Sequence, residues 1–238
     1  QEQFDDVYSR LGVTFDHTLG ESFYNDRLKE VVADLTEKEI AEESDGAMVV
    51  YFPDDPKLKG QPAIVRKSDG AANYTTTDLA TLQHRHREWS PDEVLYVTDG
   101  RQQLHFQQLF AIHRRSCPEV ETQLEHVWFG SILGSDRKPF KTRSGEVIKL
   151  SALLDEAQER AFAVVSEKNT DLDESERREI ARIVGLGALK YADLSNNRQS
   201  DYIFDWDKML ALQGNTAPYL QYAYTRIQSI FRSTKIEL

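Results

Sequence analysis

The chain has 238 residues, 39% of them hydrophobic and 10% aromatic, with 29 Lys and Arg against 40 Asp and Glu for a formal net charge of -11. That apolar content excludes a disordered chain, and the length leaves room for one large domain or two small ones. The acidic balance argues against indiscriminate nucleic-acid binding, which rests on a basic excess, but it permits local basic sites at Arg101 to Arg115, Arg137 to Lys149 and Arg226 to Lys235.

From the N-terminus, residues 25 to 43 read as a helix, because Leu28, Val31, Val32, Leu35 and Ile40 recur on one face, and Asp45-Gly46 closes it. Met48 to Phe52 and Ala63 to Lys67 read as two strands of a small insertion, separated by a loop rich in Pro, Asp and Gly. Thr76 or Thr77 then caps a helix running to about Trp89. Val94 to Thr98 is a short apolar run between Pro91 and Gly100, which suits a strand buried on both faces. Helical spacing of Leu104, Leu109 and Ile112 predicts a helix over Gln102 to Ser116, ended by Pro118, and His126 to Gly130 begins another strand. Strand, helix, strand is the crossover unit of a parallel sheet, whose ligands gather at the carboxyl ends of the strands. The turn from Asp99 to Gln102 lies at that edge.

From Ser151 onward the pattern is almost wholly helical. Ser151 caps a helix carrying Leu153, Leu154, Ala157 and Ala161, and a second begins near Asp173 and carries Ile180, Ile183, Val184, Leu186 and Leu189. A third follows Asp205, breaks at Gly214-Asn215 and restarts from Thr216 with Pro218 in its first turn. The composition shifts near Lys149, which places a domain boundary between residues 1–150 and 151–238. The single Cys117 rules out an internal disulfide or a thiolate cluster. No apolar run approaches the ~20 residues of a bilayer span and the first residues carry no leader pattern, so a soluble cytoplasmic protein is expected. His84 and His86 stand on different helical faces without a third ligand at suitable spacing, so no metal site is expected.

Two polar groups stand out. Tyr74 and Asp78 precede the apolar Leu79-Ala80, and Asp99-Gly100-Arg101-Gln102 leads into His105-Phe106. A carboxylate held in a pocket can accept two parallel charge-assisted hydrogen bonds from a guanidinium, a pairing that an ammonium cannot copy. A carboxamide both donates and accepts, so Gln102 can meet an ammonium or a carboxylate. Read alone, Thr-x-Asp before an apolar run is a helix start and Arg-Gln-Gln is a polar turn. In this order and at this separation, the two segments resemble the amino-acid pocket of arginyl-tRNA synthetases. The resemblance implies that Tyr74, Asp78 and Gln102 bind arginine, with His105 and His126 supporting the pocket.

Further segments extend the resemblance. Lys138-Pro139-Phe140-Lys141-Thr142-Arg143-Ser144-Gly145 is similar to the degenerate KMSKS loop of class I synthetases, which implies that Lys138, Lys141 and Arg143 meet ATP phosphates, with Mg²⁺ arriving on ATP. Gly185-x-Gly187-Ala188-Leu189-Lys190-Tyr191 and Gly214 to Ala223 also resemble family segments, the last opening the helical anticodon-binding domain. Exposed tyrosines there can stack on unpaired bases, which makes Tyr219 and Tyr222 candidates for contact with arginine tRNA.

The implied fold is α/β: the second half of a Rossmann-like catalytic domain with a strand-containing insertion, then the start of a helical bundle. The implied function is that of an arginine–tRNA ligase using arginine, ATP and arginine tRNA, with a monomeric parent. No His-x-Gly-His segment is present, and His17-Thr18-Leu19-Gly20 does not join a strand to a helix, so an internal fragment inactive on its own is expected. The alternative is a non-catalytic module that binds tRNA or arginine on the same scaffold.

Overall fold

A computed structural model describes residues 2–138 and 149–234. Helix α1 (Glu2–Leu11) is followed by a 3-10 helix (Glu21–Arg27), α2 (Leu28–Glu37), strands β1 (Glu42–Ser44), β2 (Ala47–Val50) and β3 (Ala63–Arg66), and α3 (Tyr74–Trp89). Next come β4 (Glu93–Asp99), a 3-10 turn (Gly100–Gln102), α4 (Gln103–Ser116), β5 (Gln123–Phe129) and β6 (Ile132–Leu133). The last elements are α5 (Leu150–Lys168), α6 (Glu174–Leu194), β7 (Tyr202–Ile203), α7 (Trp206–Met209) and α8 (Ala217–Thr234). The fold is mixed α/β, mostly helical with small sheets, and divides into two compact units: Phe15–Phe129, and Gln1–Thr14 with Gly130–Leu238.

In the unit Phe15–Phe129, β1, β2 and β3 form an antiparallel sheet, while β4 and β5 pair in parallel from Glu93 opposite Gln123 to Asp99 opposite Phe129. Helix α4 makes the crossover between them, and Val31, Leu35, Val50, Val65, Leu82, Leu109 and Ile112 fill the core. The expected helix over residues 25 to 43 stops at Glu37. Glu39 adopts a left-handed φ of 54°, and the amides of Ile40 and Ala41 both return to the Leu35 carbonyl. Ile40 is therefore buried from a turn, which imitates the spacing of a longer helix. Leu104 is also turned out to solvent, and Phe106 takes the core position beside Leu109.

Strand β4 departs from expectation as well. Val94 and Tyr96 face the core, but Leu95 and Val97 on the other face are 50% and 63% exposed, so the strand is covered on one side only. A continuous apolar run conceals this alternation, because both faces carry apolar residues. Strand β5 begins at Gln123, before the expected His126.

Asn73, rather than either threonine, caps α3. Its Oδ1 accepts from the Tyr74 amide at 2.9 Å and its Nδ2 donates to the Ile64 carbonyl at 3.1 Å. Thr76 is wholly buried and its hydroxyl donates to the Val65 carbonyl. Val65 sits where the register slips between Met48 opposite Arg66 and Val49 opposite Ile64. The extra residue of such a bulge lies outside the ladder, and the threonine gives it a donor. The start of α3 is thereby fastened to β3.

His86 and His113 stack between α3 and α4 with centroids 4.9 Å apart and planes 16° apart. The Thr122 hydroxyl donates to the Pro91 carbonyl at 2.7 Å, so His86 Nδ1, 3.3 Å away, must be the donor to Thr122. Both Nε2 atoms are buried without a hydrogen-bond partner among the described residues. Burial pushes His113 down to about 4, with His86 and Arg114 pushing the same way and Glu119 opposing. A depressed histidine favours the neutral form, so its stabilisation is complete above the unfolded value near 6.5 and is lost as pH falls toward about 4. The unfolding free energy from urea titration should therefore fall between pH 6.5 and pH 4.5, by up to about 2 kcal/mol, and His113→Phe should flatten that slope. A wild-type slope in the variant would remove His113 as its origin.

In the second unit, α5 packs along α6 through Leu154, Ala157, Ala161, Ala181, Leu186 and Leu189. Ser151 lies inside the first turn of α5, and Lys149 is the cap residue, without a side-chain bond. Helix α6 starts with a capping box in which Asp173 Oδ1 accepts from the Glu176 amide at 2.9 Å and Glu176 Oε2 accepts from the Asp173 amide at 3.1 Å. The helix expected after Asp205 is only the four residues of α7. The short parallel pair of Ile132 with Tyr202 and Leu133 with Ile203 lies outside every sequence expectation, since two residues are too few to show a period. Thr216 precedes α8, accepting from the Tyr219 amide at 3.3 Å and donating to the Ala211 carbonyl at 2.6 Å. No helix among the described residues is long and apolar enough to cross a membrane.

Candidate functional site

Because α3 begins at Tyr74, Tyr74 and Asp78 stand four residues apart on one face of a helix, whereas a cap at Thr76 or Thr77 would have left Tyr74 outside it. Tyr74 is 70% exposed. Asp78 Oδ2 lies 2.6 Å from His105 Nε2, and both side chains are about a quarter to a third exposed, at 32% and 22%. His105 is in the first turn of α4, and the exposed Gln102 immediately precedes that helix. The Asp78 bond thus draws the start of α3 onto the start of α4, at the carboxyl end of β4.

The turn that carries Gln102 is held from below. Asp99 Oδ1 accepts from the Arg101 amide at 2.8 Å, and the carboxylate takes a fork from Arg101 Nε and Nη2 at 2.8 and 3.2 Å. Hydrogen bonds from the Arg101 side chain and amide hold the Asp99 carboxyl below the usual carboxylate range. A Cβ on Gly100 would meet a Trp128 ring carbon at 3.0 Å, so the glycine allows the turn to sit close against β5.

Next to His105, Phe106 is flanked by Tyr96, His105 and His126, with centroids at 4.9, 5.0 and 4.4 Å. His126 Nε2 lies 2.8 Å from Thr98 Oγ1 across the parallel pair. Burial pushes His126 down, His105 adds to that, and a hydrogen bond with the Thr98 backbone opposes it. Burial pushes Tyr96 up to about 12, where Arg85 opposes the shift and Asp78 adds to it. Tyr96, Thr98 and Arg85 were not singled out by sequence reading. The period of two along β4 would have placed Tyr96 and Thr98 on one face, and Arg85 stands two helical turns beyond Asp78.

The remaining expected residues lie in the other unit. Lys138 is exposed in a turn after β6, its amide donating to Asp136 Oδ1 at 3.0 Å. Lys141 and Arg143 lie outside the described residues. Tyr219 and Tyr222 are 45% and 52% exposed on α8, and Arg226 donates to the Tyr222 hydroxyl at 3.0 Å.

Residues 1–206 match the family described as tRNA synthetases class I (R), catalytic domain. The chain belongs to this synthetase family. The arginine–tRNA ligase of Chromobacterium violaceum is 54% identical over 237 residues, covering 97% of this chain and 41% of that ligase. That of Laribacter hongkongensis is 57% identical over 232 residues, covering 95% of this chain and 40% of that ligase. This synthetase chain therefore spans about two fifths of the length of these relatives. The arginyl-tRNA synthetase of Plasmodium falciparum superposes with a TM-score of 0.83 at 31% identity, over 97% of this chain and 38% of that one. The Thermus thermophilus synthetase shares the fold, with a TM-score of 0.81 at 23% identity over 97% of this chain and 44% of that one.

Proposed function

We propose that this chain is part of an arginine–tRNA ligase and carries one wall of its arginine pocket together with part of its ATP site. The supporting observation is the bond from Asp78 to His105, which gathers the Tyr74 and Asp78 face of α3 against the Gln102 turn at the carboxyl end of a parallel strand. In that reading Asp78 and Tyr74 receive the guanidinium, and Gln102 meets the amino-acid end. The arginine carboxylate attacks the α-phosphorus of ATP, pyrophosphate leaves, and arginyl-adenylate results. A terminal ribose hydroxyl of arginine tRNA then attacks the carbonyl carbon, and AMP leaves.

Lys138, Lys141 and Arg143 would neutralise the charge growing on pyrophosphate, alongside the Mg²⁺ that accompanies ATP. Tyr219 and Tyr222, both half exposed, suit stacking on unpaired tRNA bases. Strands β4 and β5 belong, on this reading, to the second half of a Rossmann-like sheet, and α8 to the start of a helical tRNA-binding bundle, in a cytoplasmic, monomeric enzyme. The open Leu95 and Val97 face of β4 is where the first half would pack.

Arginine-dependent ATP–pyrophosphate exchange tests the reading. The complete ligase carrying this chain should exchange, and the isolated 238 residues should stay at background. Robust exchange by the isolated chain would contradict the need for a facing half.

A further inference from the structure

The Asp78 carboxylate is held before any ligand arrives: Oδ2 accepts from His105 Nε2 at 2.6 Å, which uses one of the roughly four lone-pair sites of the carboxylate. A carboxylate only accepts, so the Nε2 hydrogen is the donor. The His105 ring is itself fixed, edge-on against Phe106, which packs in turn on Tyr96 and His126. From these contacts we infer that His105 is a positioning residue for arginine recognition. It pins Oδ2 and with it the plane of the carboxylate, so that the remaining lone pairs meet the guanidinium in one preset orientation, with Tyr74 on the same helical face.

This inference rests on the assignment of Asp78 to the arginine pocket. It adds that guanidinium recognition uses a preset carboxylate, rather than a free one that must turn to form its hydrogen bonds. A preset group loses less rotamer freedom on binding, and that advantage is felt by arginine and not by ATP. A role limited to tying α3 to α4 would instead affect both substrates and the melting temperature.

The test uses the complete ligase with His105→Leu, His105→Gln and Asp78→Asn. Leucine removes the donor, whereas the glutamine amide can reach the same oxygen. The expected result for His105→Leu is an arginine KM raised about tenfold, as for a lost hydrogen bond to a charged group, with the ATP KM and kcat held. His105→Gln should return the arginine KM to within about threefold of wild type. A raised arginine KM in Asp78→Asn beside an unmoved one in His105→Leu overturns the positioning role alone. Parallel rises in the arginine and ATP KM with no rescue by glutamine also overturn it, leaving a purely structural contact. An unmoved arginine KM in Asp78→Asn overturns the pocket assignment, and the role of His105 with it.

Discussion

Asp78→Ala in the complete ligase should raise the arginine KM about 100-fold, with a much smaller change in the ATP KM. The reasoning is that a guanidinium drawn from water needs a charged acceptor, and removing one partner of such a pair typically costs about 2–5 kcal/mol. The lower part of that range applies, because the Asp78 side chain keeps 32% of its exposure and water can partly replace it. The same substitution strands the His105 donor, so the melting temperature of the variant must be compared before the kinetics are read. Steady-state exchange at varied arginine separates the two effects. An arginine KM within twofold of wild type would remove Asp78 from the pocket.

Gly185→Ala should damage the packing of α5 on α6. A Cβ on Gly185 would lie 2.5 Å from the Ala157 carbonyl oxygen and 2.8 Å from its carbon, which are backbone atoms of α5 that cannot rotate away. The alanines at 157, 161 and 181 show that the whole interface is built for close approach of two helices. Alanine would gain up to about 1 kcal/mol of helix propensity, but forcing the helices apart costs typically about 1–3 kcal/mol and sometimes more. The expected net loss is about 2 kcal/mol, or about 4–8 °C in melting temperature. Gly187→Ala provides the comparison, because its Cβ would meet the movable end of Gln221 at 2.7 Å and should be tolerated better. Equal stability of the Gly185 and Gly187 variants would contradict the packing account.

What could be read from sequence divides along the range of the interactions involved. The start of α6 was legible because Asp173 and Glu176 satisfy each other within one turn. The β4, α4, β5 crossover was legible because its apolar runs and its breakers, Gly100 and Pro118, are local. The start of α3 was misread because Thr76 and Thr77 both suit the cap in sequence, whereas the decision is made by β3: Thr76 is recruited to a bulge carbonyl and Asn73 to Ile64. The end of α2 was misread because Ile40 reaches the same core from a turn.

The site shows the same division. Tyr74, Asp78 and Gln102 were marked by order and spacing that resemble a family, not by any property of the residues alone. Family membership followed from the match over residues 1–206. No local pattern encodes the pairing of Asp78 with a histidine 27 positions away, or of Thr98 with His126 across a parallel ladder. Those contacts decide which carboxylate is held and which ring is fixed, and only the folded chain supplies them.

Charging of arginine tRNA by the complete ligase, with arginine and lysine supplied separately at equal concentration, tests the central claim most directly. The account predicts transfer of arginine, with lysine disfavoured on the order of ten-thousandfold, because a pocket built to hydrogen-bond one polar group leaves its own groups unpaired around another. Comparable charging with lysine, or none with arginine, would contradict it.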